Sequence, residues 1–152
     1  MKVSEAIRKI PATIDAAETV YAAAKLMDSH AVGALMVTDQ GLLVGIVTDR
    51  DLVVRGIARR VDASARIDSA MTTNPITVPA DAELNEALTI FRSHPFRRLP
   101  VMRGDEIAGM LTVDDLVVDL TSSLTTLVLP VTGQVLFGSP EPSTPAVIST
   151  SP

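Results

Sequence analysis

The chain has 152 residues, with 13 Lys and Arg against 18 Asp and Glu and a formal net charge of −5. That balance disfavours a nucleic-acid partner, since phosphate-backbone binding needs a basic face and only Arg55, Arg59 and Arg60 offer a small one. The absence of cysteine removes disulfides, zinc fingers and thiol chemistry. No apolar run reaches the roughly 18 residues of a membrane span, so a cytoplasmic protein without a membrane partner is expected.

In chain order, the sequence predicts a helical turn over residues 3–10 and a β-type run over 11–14. A helix follows with Val20, Ala23, Ala24 and Met27 on one face and Asp15 as its N-cap. Strands over 33–37 and 42–47 are joined through Asp39-Gln40-Gly41. A second helix starts at Thr48 and runs through Leu52-Val53-Val54.

The same order then recurs. A constant offset of 64 carries Thr48 onto Thr112, Asp51 onto Asp115, Pro11 onto Pro75 and Ser29-His30 onto Ser93-His94. The second copy has a turn over 67–73, a β-type run over 75–78 and a helix with Leu84, Ala87, Leu88 and Phe91 on one face, capped by Asp81. Strands 98–102 and 106–111, joined at Arg103-Gly104-Asp105, lead into a helix from Thr112. The expected architecture is α/β (α+β), two β-α-β-β-α repeats packed with pseudo-twofold symmetry. The repeats cover residues 1–56 and 67–121, joined by 57–66. A copy of this size is marginal alone, so the two are expected to share buried surface. In the tail, 122–152, the apolar stretch 124–137 suits an added strand or packing on a partner. Residues 139–152, rich in Pro, Ser and Thr, read as disordered.

The chemistry concentrates where a strand meets a helix, in GIVTDRDL at 45–52 and GMLTVDDL at 109–116. The spacing Gly-apolar-apolar-Thr-x-x-Asp fits a capping box, Thr as N-cap and the acid three residues on bonding back. It fits equally a nucleotide site, with the Thr hydroxyl on a phosphate or ribose oxygen and the Asp carboxylate on ribose hydroxyls. Both copies carry Asp where a capping box usually has Glu or Gln. Arg97-Arg98 precedes Leu99-Pro100-Val101, and such an arginine pair entering a buried strand is costly unless an anion meets it. The first copy has Gly33-Ala34 there. His30 and His94 read as helix C-terminal groups rather than metal ligands. Asp49, Asp51, Asp114 and Asp115 have no nucleophile or oriented base beside them, so no catalytic site is expected.

The Pro-x-Thr-apolar start, the strand Arg-Leu-Pro-Val and the doubled Gly-apolar-apolar-Thr-x-x-Asp turn resemble a tandem pair of CBS domains (cystathionine β-synthase domains), the Bateman module, over roughly residues 2–121. The resemblance implies a stand-alone, non-enzymatic regulatory module whose two clefts bind an adenosine-containing ligand: AMP, ADP, ATP or S-adenosylmethionine. It implies that Asp51 and Asp115 hold ribose hydroxyls and that Thr48 and Thr112 touch phosphate or ribose. Arg98, with Arg97, would contact phosphate. Thr13 and Thr77 would lie beside the nucleoside, and Ile46 and Met110 would wall the adenine. It also implies a homodimer and a separate protein target. The alternative is a structural, protein-interaction dimerisation module with vestigial sites. Because Arg98 belongs to the second copy, the second site is expected to dominate, with Asp115→Ala more harmful to binding than Asp51→Ala.

Overall fold

The structure, a computed structural model, describes the backbone of residues 1–136. Residues 1–116 form one compact unit, and a second begins at Val117. Within the first, the element order is α1 (Val3–Ala6), β1 (Thr13–Asp15), α2 (Val20–His30), β2 (Ala34–Asp39), β3 (Leu42–Thr48) and α3 (Asp49–Asp51). After short helical turns come β4 (Thr72–Thr73), β5 (Val78–Pro79), α4 (Leu84–Ser93), β6 (Arg98–Arg103) and β7 (Glu106–Thr112). The start of α5 (Val113–Leu136) completes the unit.

Each repeat folds as the periodicity dictates. In the first, β1 runs parallel to β2, and β2 and β3 form a hairpin; β5, β6 and β7 do the same in the second. The hairpin irregularity falls between Val37 and Thr38 in one copy and 64 residues on, between Val101 and Met102, in the other. The first hairpin turns through Gln40 and Gly41, both at positive φ, as a tight two-residue hairpin loop requires.

The two cores are built largely on matched positions. Leu35, Val37, Val47, Ile14 and Ala23 are buried in the first, and Leu99, Val101, Leu111, Val78 and Ala87 in the second. The chain, however, crosses between them. Val3 and Ala6 of α1 are buried in the second core, where the Val3 and Ser4 amides donate to the Ala82 and Ala80 carbonyls. Ile67 is buried in the first core, and β4 joins the first sheet beside β3. Each repeat's opening segment thus completes the other repeat's layer.

Several expectations change in detail. Helix α2 is capped by Thr19, whose hydroxyl accepts from the Ala22 amide, and α4 by Glu83 in a capping box with Glu86. Asp15 instead accepts from the Ala17 amide, and Asp81 is not the cap, because the helices begin several residues later than their acids. Ala24 is exposed; Ala22 and Leu26 pack on the core in its place. The opening helix stops at Ala6, and residues 67–73 divide into a 3₁₀ turn (Ile67–Ser69) and β4. After Asp51 the first copy continues as a π-helical turn, Leu52–Gly56, a form enriched at functional sites.

In the second unit, α5 continues to Leu136, so residues 124–136 are helical rather than an added strand. Thr121, Ser122, Ser123, Thr125 and Thr126 each donate to the carbonyl four residues back, which satisfies their hydroxyls without leaving the helix. Val117, Leu120, Leu124, Leu127 and Val128 are exposed at spacings that put them on one stripe. Residues 139–152 lie outside the described residues. Among the described residues no helix is long and apolar enough to cross a membrane.

Candidate functional site

Both strand-to-helix turns close as capping boxes. In the first, Asp51 Oδ2 accepts from the Thr48 amide at 2.9 Å and hydroxyl at 3.0 Å, while the Asp51 amide donates to Thr48 Oγ1 at 3.1 Å. In the second, Asp115 Oδ2 accepts from Thr112 N at 3.1 Å and Oγ1 at 2.7 Å, and the Asp115 amide returns the bond at 3.1 Å. These contacts use Oδ2 alone. The cap does not use the other carboxylate oxygen, so the capping and ligand-binding readings are compatible in one geometry. Asp51 Oδ1 lies 3.7 Å from Arg55 Nε. Arg55 in turn donates to the Met71 carbonyl at 3.0 Å and to Thr72 Oγ1 at 3.3 Å, tying Asp51 to the crossing segment.

The glycine of each motif is there because another segment presses on it. A Cβ on Gly45 would come within 2.6 Å of Met71 Sδ and 2.9 Å of the Thr72 carbonyl oxygen. One on Gly109 would meet the Ile7 side chain at 2.6 Å.

A cleft of about 430 Å³ lies between the repeats. The first repeat contributes Ile46, Thr48, Arg50 and Asp51; the crossing segment contributes Thr72, Asn74, Pro75 and Ile76. The second repeat contributes Pro95, Phe96, Arg97, Arg98 and Pro100. The arginine pair therefore shares a cleft with Thr48 and Asp51, not with the acid of its own repeat. The backbone of Arg98 is paired with Thr112, yet its guanidinium reaches Gly33: a Cβ there would sit 3.1 Å from Arg98 Nη2 and 3.0 Å from Asp49 Oδ2. A larger residue at position 33 would block that reach. Arg97 pairs with Asp114 at 2.9 Å on the surface.

Of the sequence-derived residues, Ile46, Thr48, Asp51, Arg97 and Arg98 come together in this cleft. Thr77 lines a separate depression of about 620 Å³ with Leu43 and Met102. Thr13 is exposed on β1, and Met110 is half-buried on β7 opposite Pro100. Thr112 and Asp115 form their own turn and do not line the cleft. Sequence reasoning passed over Arg50, although it sits inside the motif. It also missed Phe96 and the 72–76 segment, which only the crossover brings in. His30 and His94 bond through a ring nitrogen to the Leu26 and Ile90 carbonyls, as helix-end groups. Among the described residues no three His, Cys, Asp or Glu side chains gather as a metal site needs.

Comparison with known proteins agrees with this architecture. The family model for the CBS domain matches residues 3–56 and again 65–121. The chain is 46% identical over 101 residues to the uncharacterized protein YlbB of Bacillus subtilis, covering 65% of this chain and 68% of that one. It is 33% identical over 112 residues to the CBS domain-containing protein YhcV of the same organism, covering 74% and 80%. Among solved structures, a CBS domain protein from Pyrobaculum aerophilum complexed with AMP superposes with a TM-score of 0.70 at 25% identity, covering 76% of this chain and 90% of that one. With two matched copies, the shared turn chemistry and the same fold, this chain belongs to the CBS-domain family as a tandem pair.

Proposed function

We propose that the protein is a non-catalytic regulatory module that binds an adenosine-containing ligand in the cleft between its repeats. The observation that carries this reading is the juxtaposition of Thr48 and Asp51 from one repeat with Arg98 from the other across a cleft of about 430 Å³. In this reading Asp51 takes the ribose hydroxyls through Oδ1, the oxygen its capping box leaves over. Ile46, Ile76 and Phe96 offer apolar walls to a base. The AMP bound to the Pyrobaculum relative supports an adenosine compound as the ligand class.

The signal is a population shift. A ligand that touches both repeats favours the arrangement in which they are held together, and a partner protein reads the change. Titration calorimetry on the full chain with AMP, ADP, ATP and S-adenosylmethionine tests the reading; absence of binding at millimolar ligand in a folded sample refutes it.

The exposed apolar stripe of α5 favours a second reading, a protein-interaction module that assembles as a homodimer. Light scattering that reports a dimer, together with a melting temperature that no adenosine compound moves, selects this reading over the first.

A further inference from the structure

Arg55 does not line the Asp51 cleft, yet it is joined to two residues that do. Its Nη1 donates to Thr72 Oγ1 at 3.3 Å and to the Met71 carbonyl at 3.0 Å, and its Nε lies 3.7 Å from Asp51 Oδ1. That last distance makes an ion pair and is too long for a hydrogen bond, so the guanidinium attracts Oδ1 without using its lone pairs. The Arg55 and Asp51 side chains are 38% and 18% exposed, so water screens the pair only in part. The acid precedes the base by four residues, the favourable order on a helical turn. The segment that Arg55 holds is fixed in its turn: Thr72 pairs with Ile46 across β3 and β4, and Met71 and Thr72 press on Gly45.

The capping box holds the Asp51 carboxylate through Oδ2. A carboxylate tethered at one oxygen can still swing about that contact, so a second point is needed to place Oδ1. Arg55 supplies it, and a planar guanidinium suits the task because its separate N–H groups serve the acid and the neighbouring strand at once. The other repeat is built differently. The offset of 64 sets Arg55 against Asp119 and Thr72 against Arg8, so the position four residues after Asp115 carries an acid in place of the base.

We infer that Arg55 is a positioning residue for sugar recognition: it sets Asp51 Oδ1 and the Thr72 wall in one arrangement, and through them it makes the cleft discriminate a ribose from a sugar without its hydroxyls. The inference rests on the adenosine-binding reading and adds the residue, outside the lining, on which recognition of the sugar depends. Hydroxyls that donate to a carboxylate form charge-assisted bonds, and the benefit of such bonds falls away when the acceptor is not held in place. Arg55 acts through Asp51 and Thr72, so its removal should cost affinity only for ligands that use those hydroxyls.

Calorimetry on the full chain compares AMP with 2′,3′-dideoxy-AMP, which keeps the base and phosphate and lacks both hydroxyls. The wild type is expected to prefer AMP at least about tenfold, the scale of a hydrogen bond to a charged group. Arg55→Met and Arg55→Gln both remove the cation. Each should lower AMP affinity about five- to tenfold and leave the dideoxy compound within about twofold, so that the preference collapses. Melting curves identify the folded variants. A preference that persists in a folded variant, or equal losses for both nucleotides, overturns the positioning role and leaves the adenosine site standing. Unfolding of both variants overturns it too, since Arg55 is then a residue of the fold. Failure of the folded wild type to bind either nucleotide overturns both readings.

Discussion

The two strand-to-helix turns, Thr48 to Asp51 and Thr112 to Asp115, are alike to within a few tenths of an ångström in every capping contact, and they differ in almost everything around them. The first turn faces Arg98, Phe96 and the crossing segment 72–76 across a cleft. The second has Gly33 and Ala34 at the matching positions. Duplication preserved the local chemistry, because a capping box depends only on four consecutive residues. The surroundings come from the other copy and were free to diverge. A motif shared by two repeats therefore identifies two equivalent turns without making them equivalent sites.

The largest effects should be the ones the repeats share. Leu35 and Leu99 are fully buried at matching positions, so Leu35→Ala and Leu99→Ala should each destabilise by about 3 kcal/mol in urea unfolding. A difference of more than about 1.5 kcal/mol between them breaks the equivalence of the two cores.

Next come the motif glycines, where the copies part. Gly45→Ala drives a methyl group against the Thr72 carbonyl oxygen and should lose up to about 3 kcal/mol. Gly109→Ala meets only the Ile7 side chain, which can turn away, and should lose about 1 kcal/mol. Equal losses would mean that β4 yields as readily as a side chain.

The binding comparison reverses the order that the linear sequence suggests. Asp51→Ala should weaken AMP at least about tenfold, or about 1.4 kcal/mol, and Asp115→Ala less than threefold. Both should lower stability alike, by about 1 kcal/mol, since each removes one cap partner. Calorimetry paired with melting separates the two effects, and a greater binding loss for Asp115→Ala refutes the assignment of the ligand to the cleft that Arg98 shares with Asp51.

The smallest contrast is in acid. Glu83 caps α4 and is bonded by Lys2 Nζ at 2.5 Å, which holds its carboxyl below the ordinary value near 4.5. A depressed acid contributes stability above its unfolded value and loses it as pH falls through the folded one. The matching cap, Thr19, does not titrate. Amide protection at Val3 and Ser4 should therefore fall below about pH 4.5 before protection at Val20 and Tyr21, which bond to the Ala65 and Ala63 carbonyls. Simultaneous loss at both ends contradicts this role for Glu83.

The sequence by itself determined the repeat, the element order and most of the core, because apolar spacings of 2 and 3.6 residues are local. Leu84, Ala87, Leu88 and Phe91 pack on the core as their spacing requires. It also located the turn residues, since Thr48 and Asp51 act within one helical turn of each other. The N-caps were less legible: Asp15 and Asp81 are good capping residues by type, but the helix starts were set by where α2 and α4 pack.

Only the tertiary structure decided how the copies exchange segments. Val3 and Ile67 are interchangeable apolar residues in matching turns, so nothing local says which core either one enters. The same holds for Arg98. Its place in the sequence assigns it to Asp115, and its reach past a side-chain-free Gly33 gives it to Asp51. Which cation shares a cleft with which acid depends on bringing together residues almost fifty positions apart, and that happens only once the two sheets have packed.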